Sequence, residues 1–126
     1  MRGADPNLIV RLIARDDVAQ TAAAEAFVSK GAWVSQLALI ETTWVLDSVF
    51  GLNHKQLAVA IEMLLNHRDL VLQDPDVITA ALAHYRKRPK LGFSDCLILE
   101  VARKAGHTPL GTFDKGFAKL DGTQRI

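Results

Sequence analysis

The sequence predicts a three-layer α/β/α domain with a central parallel sheet of four to five short strands. Short apolar runs alternate with longer helical patterns, and no internal repeat or Gly/Ser-rich linker interrupts them. Parallel strands need crossover connections, usually helices, which cover both faces of the sheet. With 126 residues, of which 49% are hydrophobic, the chain is long enough for one domain, expected over residues 1–126.

The first part of the chain is expected to contain three strands and four helices. An extended start ends at Asp5, and Pro6 suits a first helical turn, where its missing N–H has no intrahelical partner to lose. The following helices begin after polar side chains that can cap them, namely Asp16 or Asp17, Ser35 and Asn53. The predicted strands are 2–5, 32–35 and 69–73, and the predicted helices are 7–15, 18–30, 36–50 and 55–67.

The rest of the chain is expected to contain two helices and two strands. Asp74 followed by Pro75 predicts a helix start, and Pro89 breaks the pattern after a basic stretch. Ser94 and Asp95 open the next helix. The predicted helices are 76–87 and 96–105, and the predicted strands are 108–113 and 123–126.

Composition and motifs exclude several classes of function. A net charge of +1 provides no global basic field, so nucleic-acid binding would need a local patch. The chain contains neither of the glycine-rich loops that cradle nucleotide phosphates. Its single cysteine, Cys96, excludes an intramolecular disulfide and suits a reducing compartment. No run approaches the roughly 18 apolar residues of a membrane span, and the start is no export signal, so a cytoplasmic protein is expected.

Two aspartates, Asp5 and Asp114, stand at the ends of predicted strands. In open α/β sheets, ligands bind outside the carboxyl ends of strands, where the strand order reverses. If the first and fourth strands are neighbours at that point, the two carboxylates meet. Asp95 adds a third acid, at or just inside a helix N-terminus. The alternative interpretation is that Asp95 only caps the helix and that Asp114 is only a turn residue.

A charge also lies among apolar residues on the helix predicted at 36–50. Glu41 shares a helical stripe with Leu37 and Trp44, which predicts that it faces the core. Trp33 and Trp44 are likewise expected to be core residues. An isolated buried carboxylate is costly, and no lysine or arginine lies in this helix, so its partner must come from elsewhere in the fold or be a metal.

These acids together indicate metal chemistry. Gathering Asp5, Glu41, Asp95 and Asp114 would be repulsive without a cation, and hard oxygen ligands select Mg²⁺ or Mn²⁺. Such an ion can activate water and stabilise the leaving oxygen of a phosphodiester, which indicates a metal-dependent nuclease. The four histidines lack paired metal-ligand spacing and are expected at the surface, and Cys96 is expected in the core.

A basic segment immediately precedes Asp95. Its cations either form a solvated helix end or bind the phosphates of a substrate strand. They are Arg86, Lys87, Arg88 and Lys90. Arg11, which follows Asp5 by more than a helical turn, is a further candidate for RNA contact, with a plain surface role as the alternative.

Four segments, residues 4–17, 39–46, 93–106 and 112–117, resemble the successive motifs of PIN-domain proteins, in particular the VapC-type toxins of toxin–antitoxin pairs. The resemblance covers essentially the whole chain in the family's order. It implies a Mg²⁺- or Mn²⁺-dependent endoribonuclease acting on structured cellular RNA. The four acids of its site would be Asp5, Glu41, Asp95 and Asp114, with Asn7 and Thr112 as supporting polar groups.

The resemblance also implies partners: an RNA substrate, a cognate antitoxin and a second copy of the chain in a homodimer. The family usually has a hydroxyl residue where this chain has Pro6, which implies a less firmly oriented Asp5 carboxylate. Two other functions stay open. One is a non-catalytic interaction module with a weakened metal site. The other is a phosphatase of the haloacid type, which would need an aspartate where this chain has Asn7.

Overall fold

The computed structural model describes residues 1–126 as six helices and five short strands that pair in parallel. These elements form two compact units, Met1–Pro75 and Asp76–Ile126. The predicted α/β class with parallel strand pairing is confirmed, and the strands are only two or three residues long. No helix combines the length and the apolar character needed to cross a bilayer.

The first unit contains a three-stranded sheet in the order β1-β2-β3. Its elements are β1 (Arg2–Gly3), α1 (Pro6–Ala14), α2 (Val18–Val28), β2 (Ala32–Val34), α3 (Gln36–Ser48), α4 (His54–Asn66) and β3 (Leu70–Leu72). Trp33 is the register partner of Gly3 on one side and of Val71 on the other. The two consecutive helices between successive strands, as predicted, provide the crossovers that parallel pairing requires.

Local hydrogen bonds account for the helix starts of this unit. The side chains of Asp5, Asp17, Ser35 and Asn53 each accept the backbone N–H three residues further on. Asp17, and not Asp16, is therefore the cap of α2. At α4 the predicted capping box is complete, because the Gln56 side chain accepts the Asn53 N–H at 2.9 Å in return. The predicted caps at Ser35 and Asn53 are confirmed, α2 uses the second of its two predicted caps, and the cap formed by Asp5 adds to the predicted ones.

Replacing Asn53 by alanine is expected to lower the free energy of unfolding by about 1 kcal/mol, because the substitution removes one half of the capping box. Urea denaturation followed by circular dichroism measures the change. Asn66→Ala, in the last turn of the same helix, is the matched control and should shift stability by less than about 0.5 kcal/mol. Equal effects of the two substitutions would show that the box contributes nothing.

The core of the first unit is formed by the inner faces of its helices. Side chains that are almost completely buried include Ile9, Val10, Leu39, Leu46, Ile61 and Leu64. Helix α1 packs against α2 and α3, and α4 packs against β3. The carboxyl end of β1 and the start of α1 are thus held by a packed layer, which fixes the backbone at the first acidic position.

The second unit places two helices before a two-stranded parallel sheet. Its elements are α5 (Pro75–Lys87, beginning at the boundary), α6 (Phe93–Lys104), β4 (Leu110–Thr112), a short 3-10 helix (Phe117–Lys119) and β5 (Thr123–Arg125). Helix α6 begins at Phe93, earlier than predicted, so Asp95 lies within its first turn. Asp74, predicted as an N-cap, adopts a left-handed conformation with φ of 47°, unlike the extended N-caps of the first unit.

The hydrogen-bonded partner of β4 is β5 and not the first strand, which pairs with β2. The hypothesis that the first and fourth strands are hydrogen-bonded neighbours is therefore wrong. The cause lies in the C-terminal segment, where the 3-10 helix serves as a short crossover that brings β5 alongside β4. Thr112 and Arg125 are register partners at the end of this ladder.

A buried carboxylate joins the two helices of the second unit. Glu100 on α6 is only 7% exposed. Its Oε1 lies 2.8 Å from His84 Nε2 on α5, and its Oε2 accepts a hydrogen bond from Arg103 Nε at 3.1 Å. Arg103 also donates to the carbonyl oxygen of Asp121, just before β5, at 2.8 Å. One acidic side chain thus connects both helices to the C-terminal sheet.

Candidate functional site

Two of the predicted acids lie together in the first unit. Asp5, at the exit of β1, and Glu41, on α3, line one open cavity of about 430 Å³. Ser35, the N-cap of α3, also lines it, so its hydroxyl accompanies the two carboxylates. The capping requirement of α3, which places a polar residue directly before the helix, accounts for this third polar group.

The predicted burial of Glu41 is wrong. The stripe formed by Leu37, Glu41 and Trp44 faces solvent, with Leu37 80% and Trp44 58% exposed. Helix α3 carries apolar residues on both faces, and the face with Leu39 and Leu46 enters the core instead. Glu41 therefore needs no buried partner, and its carboxylate is available to a ligand in the cavity.

The two tryptophans are also more exposed than expected. Trp44 follows the exposed stripe of α3, and Trp33, in β2, is 40% exposed. In a strand, alternate side chains point to opposite faces, and the neighbours of Trp33 on both sides are the buried ones, Ala32 and Val34. The face of β2 that carries Trp33 is thus partly open to solvent.

Asp5 is oriented by the helix it caps. Its Oδ1 accepts the Leu8 N–H at 3.0 Å, which holds the carboxylate over the first turn of α1. Pro6, as the first helical residue, lacks the N–H that a hydroxyl residue would have offered there. Asn7 is exposed in the same turn and makes no side-chain hydrogen bond within the protein. Orientation of Asp5 therefore comes from the cap alone.

The other two acids lie together in the second unit. Burial, and after it the nearby negative charge of Asp114, raises the pKa of Asp95 above the ordinary value of 3.8. Asp114 follows β4 in a turn in which its N–H donates to Thr112 Oγ1 at 3.1 Å and its Oδ1 accepts the Phe117 N–H at 2.9 Å. Asp114 is therefore a turn residue and at the same time a neighbour of Asp95, and its backbone is hydrogen-bonded to Thr112.

The raised pKa of Asp95 predicts how stability depends on pH. The folded state binds this proton more tightly than the unfolded state, so the contribution is fully present below the ordinary value of 3.8 and is lost as pH rises through the raised pKa. We expect the unfolding free energy of the wild type, relative to Asp95→Asn, to fall over that interval. Urea titrations in EDTA at several pH values measure it, and a rising difference would contradict the assignment.

The donor atoms of both pairs are carboxylate oxygens, the ligands that Mg²⁺ and Mn²⁺ prefer. In the second pair, a cation would favour the ionised form of Asp95, which burial and, after it, the charge of Asp114 disfavour. Within neither unit do three or more His, Cys, Asp or Glu side chains converge on one point. The residues present thus fit such an ion as two pairs of acids.

The basic segment lies in the second unit, at the end of α5 and the turn after it. Its side chains are all exposed: Arg86, Lys87, Arg88 and Lys90. Arg11 is differently placed, because it forms an ion pair with Asp16 and its guanidinium lies 5.9 Å from the centre of the Phe50 ring. The structure thus gives Arg11 partners within its own unit.

The cysteine and two of the histidines have contacts that account for them without a catalytic role. Cys96 is completely buried, and burial, followed by the Asp95 charge, raises the pKa of its thiol to about 11, so it stays protonated near neutral pH. His84 is engaged by Glu100, and His67 Nδ1 accepts the Asp69 N–H at 3.1 Å. The core role predicted for Cys96 is confirmed.

Two residues of the second unit, Glu100 and Phe113, were not singled out from the sequence. Glu100 follows Cys96 and Leu97 by four and three positions, so the test applied to Glu41 would have identified it as a carboxylate on an apolar face. Phe113 stands directly before Asp114 and is 81% exposed, which no pattern in the sequence indicates, since an apolar residue at a strand end is usually buried.

The chain was compared with known families, proteins and structures. The PIN domain family matches residues 4–123, which include all four acidic positions and extend over both units. No curated protein and no solved structure matches the chain significantly.

Proposed function

This chain belongs to the PIN-domain family, and on that premise we propose that it is a metal-dependent endoribonuclease acting as the toxin of a toxin–antitoxin pair. Family membership indicates a nuclease-type function. RNA as the substrate, Mg²⁺ or Mn²⁺ as the cofactor and the toxin role are our proposal. Its support is the pairing of acids in each unit, together with the motif resemblance to VapC-type toxins.

The observation that carries the proposal is the pairing of carboxylates. Asp5 and Glu41 line one cavity in the first unit, and Asp95 and Asp114 interact in the second. Burial and the charge of Asp114 disfavour the ionised form of Asp95, so this pair of carboxylates is a cost in the free protein. That cost has a use if a divalent cation binds them, because its charge then compensates theirs. We propose these four residues as the metal-holding groups.

The side chains of the site have distinct roles in this proposal. The caps that hold Asp5 and Asp114 leave one oxygen of each carboxylate for a ligand. Asp95 is restrained by its place in the first turn of α6, and Thr112 braces the turn of Asp114. When bound, the metal supplies a water of lowered pKa and stabilises the charge on the leaving oxygen.

Substrate contacts are proposed for the exposed basic segment. Positively charged side chains can bind the phosphates of an RNA strand, and this segment has four of them: Arg86, Lys87, Arg88 and Lys90. Because the net charge of the chain is only +1, RNA binding needs such a local patch. Arg11 remains a candidate contact only if it exchanges its ion pair with Asp16 for a phosphate. Binding through these cations should weaken steeply with salt.

The experiment that tests the proposal is removal of the metal. EDTA is expected to abolish cleavage of a labelled RNA, and excess Mn²⁺ or Mg²⁺ is expected to restore it. Circular dichroism in EDTA serves as the control that the fold is retained. Undiminished cleavage in EDTA, or a restored metal without any cleavage of RNA, would overturn the assignment.

Protein partners follow from the toxin role. We propose a cognate antitoxin and a homodimer, and the exposed apolar side chains Leu37 and Trp44 on α3 support a protein-contacting surface in the first unit. The same observation favours a second candidate function, a non-catalytic interaction module with a weakened metal site. Calorimetric titration with Mn²⁺ discriminates the two, since absence of heat together with absence of cleavage would favour the module.

A further inference from the structure

Phe113 is the most exposed aromatic side chain of the protein, at 81%. Burying a phenylalanine contributes about 1.5–3 kcal/mol, so leaving one in water forgoes that stabilisation. The other phenylalanines of the second unit, Phe93 and Phe117, are buried. The exposure of Phe113 therefore reflects its position in the chain and not a shortage of core in this unit.

The backbone around Phe113 is held on both sides. Before it, the Thr112 carbonyl accepts the Ile126 N–H at 2.9 Å, which extends the ladder between β4 and β5. After it, Asp114 is fixed by its bonds to Thr112 and Phe117. A large ring is thus presented to solvent from a restrained position, which lowers the entropy cost of binding something against it.

The surroundings of Phe113 in the second unit combine acids with cations. Its neighbour in sequence, Asp114, interacts with Asp95. A Cβ placed on Gly116 would lie 3.3 Å from Asp114 Oδ1 and 3.9 Å from Leu91 Cδ2, so Leu91 packs at the same turn. Leu91 directly follows the basic segment, which ends at Lys90. Leu91 therefore links the end of the basic segment to the turn of Asp114, and Phe113 directly precedes that turn in the sequence.

We propose that Phe113 is a stacking platform for an unpaired nucleobase of the RNA strand, next to a phosphate bound near Asp95 and Asp114. This rests on the proposed function and narrows its substrate class to RNA that is unpaired at the cleavage position. Aromatic stacking suits any base because every base has a π-face, whereas the bases of a continuous duplex are already stacked on one another. The basic segment would hold the phosphates of the same strand.

The test compares binding by three substitutions at this exposed position. Fluorescence anisotropy in EDTA measures the Kd of a labelled single-stranded RNA of about 12 nucleotides, and of the same strand in a duplex. Phe113→Ala and Phe113→Leu are expected to raise the single-strand Kd about tenfold, whereas Phe113→Trp keeps it within about twofold. The leucine variant separates stacking from apolar contact, and the duplex Kd should not respond to any variant.

Cleavage of the same RNA with Mn²⁺ separates the possible failures. If the wild type cleaves RNA but the alanine and leucine variants bind and cleave as it does, stacking is wrong and the nuclease stands. If binding depends on Phe113 but no RNA is cleaved, the nuclease is wrong and the platform stands. If the wild type neither binds RNA in EDTA nor cleaves it with Mn²⁺, both are overturned, and cleavage without measurable binding in EDTA overturns stacking alone. A variant that alters the sedimentation of the protein but not its RNA affinity would make Phe113 a protein contact, contrary to stacking.

Discussion

Asp95→Asn is expected to lower the rate of metal-dependent RNA cleavage more than about 100-fold. This loss exceeds the one usually caused by substituting residues that only hydrogen-bond to metal ligands. The amide keeps the shape of the side chain within the first turn of α6 but removes the negative charge that a divalent cation requires. Single-turnover cleavage of a labelled RNA at saturating Mn²⁺ gives the rate. Asp5→Asn should behave alike, since asparagine still caps α1.

The same substitution should not destabilise the protein. Burial and the Asp114 charge disfavour the ionised form of Asp95, so a neutral side chain relieves both in the absence of metal. We expect an unfolding free energy in EDTA at least equal to that of the wild type. Loss of activity with retained stability indicates a residue that is needed for the reaction and lowers the free energy of unfolding.

Asp76→Asn is the matched control for this prediction. Asp76 lies in the first turn of α5, in the same unit, and its carboxylate accepts hydrogen bonds from Lys104 at the surface. Its neutralisation removes one negative charge without touching the acids of the site, so cleavage should stay within about twofold of the wild type. Equal losses in Asp76→Asn and Asp95→Asn would point to net charge as the cause and would contradict a metal-holding role.

Glu100→Ala is expected to lower the free energy of unfolding by about 3 kcal/mol, the largest stability effect we predict. The substitution leaves the His84 ring and the Arg103 guanidinium without their buried acceptor and removes the buried contact between α6 and α5. The value lies at the low end for a broken buried pair, because the two partners are 29% and 39% exposed and water can reach them. Urea denaturation measures the loss.

The exposed pair between Arg15 and Glu25 provides the comparison. Both of its side chains are about half exposed, at 59% and 49%, so Glu25→Ala should cost less than about 1 kcal/mol. The two substitutions delete the same atoms and differ in burial. If Glu100→Ala cost no more than Glu25→Ala, the cluster of α5 and α6 would contribute nothing net to the fold.

The contrast between Glu41 and Glu100 shows where sequence patterns reach their limit. Both glutamates follow apolar residues at helical spacing, and the pattern predicts burial for each. Helix α6 buries the face that carries Cys96 and Leu97, and Glu100 lies on that face, although Ile98 and Val101 of the same helix are exposed. Helix α3 has apolar residues on both faces, and packing against α1 selected the face of Leu39. Helical periodicity shows that a residue lies on an apolar stripe, but not which stripe is covered.

The sequence alone determined the helix starts at Ser35 and Asn53 and limited the cap of α2 to Asp16 or Asp17, because a cap depends on atoms only three residues apart. It also determined the α/β class and the PIN-domain family, which the family match to residues 4–123 confirms. Tertiary structure decided the rest. The pairing of β4 with β5, the solvent-facing position of Glu41 and the exposure of Phe113 all depend on contacts between segments distant in the chain, and no local pattern encodes which of several apolar surfaces is buried.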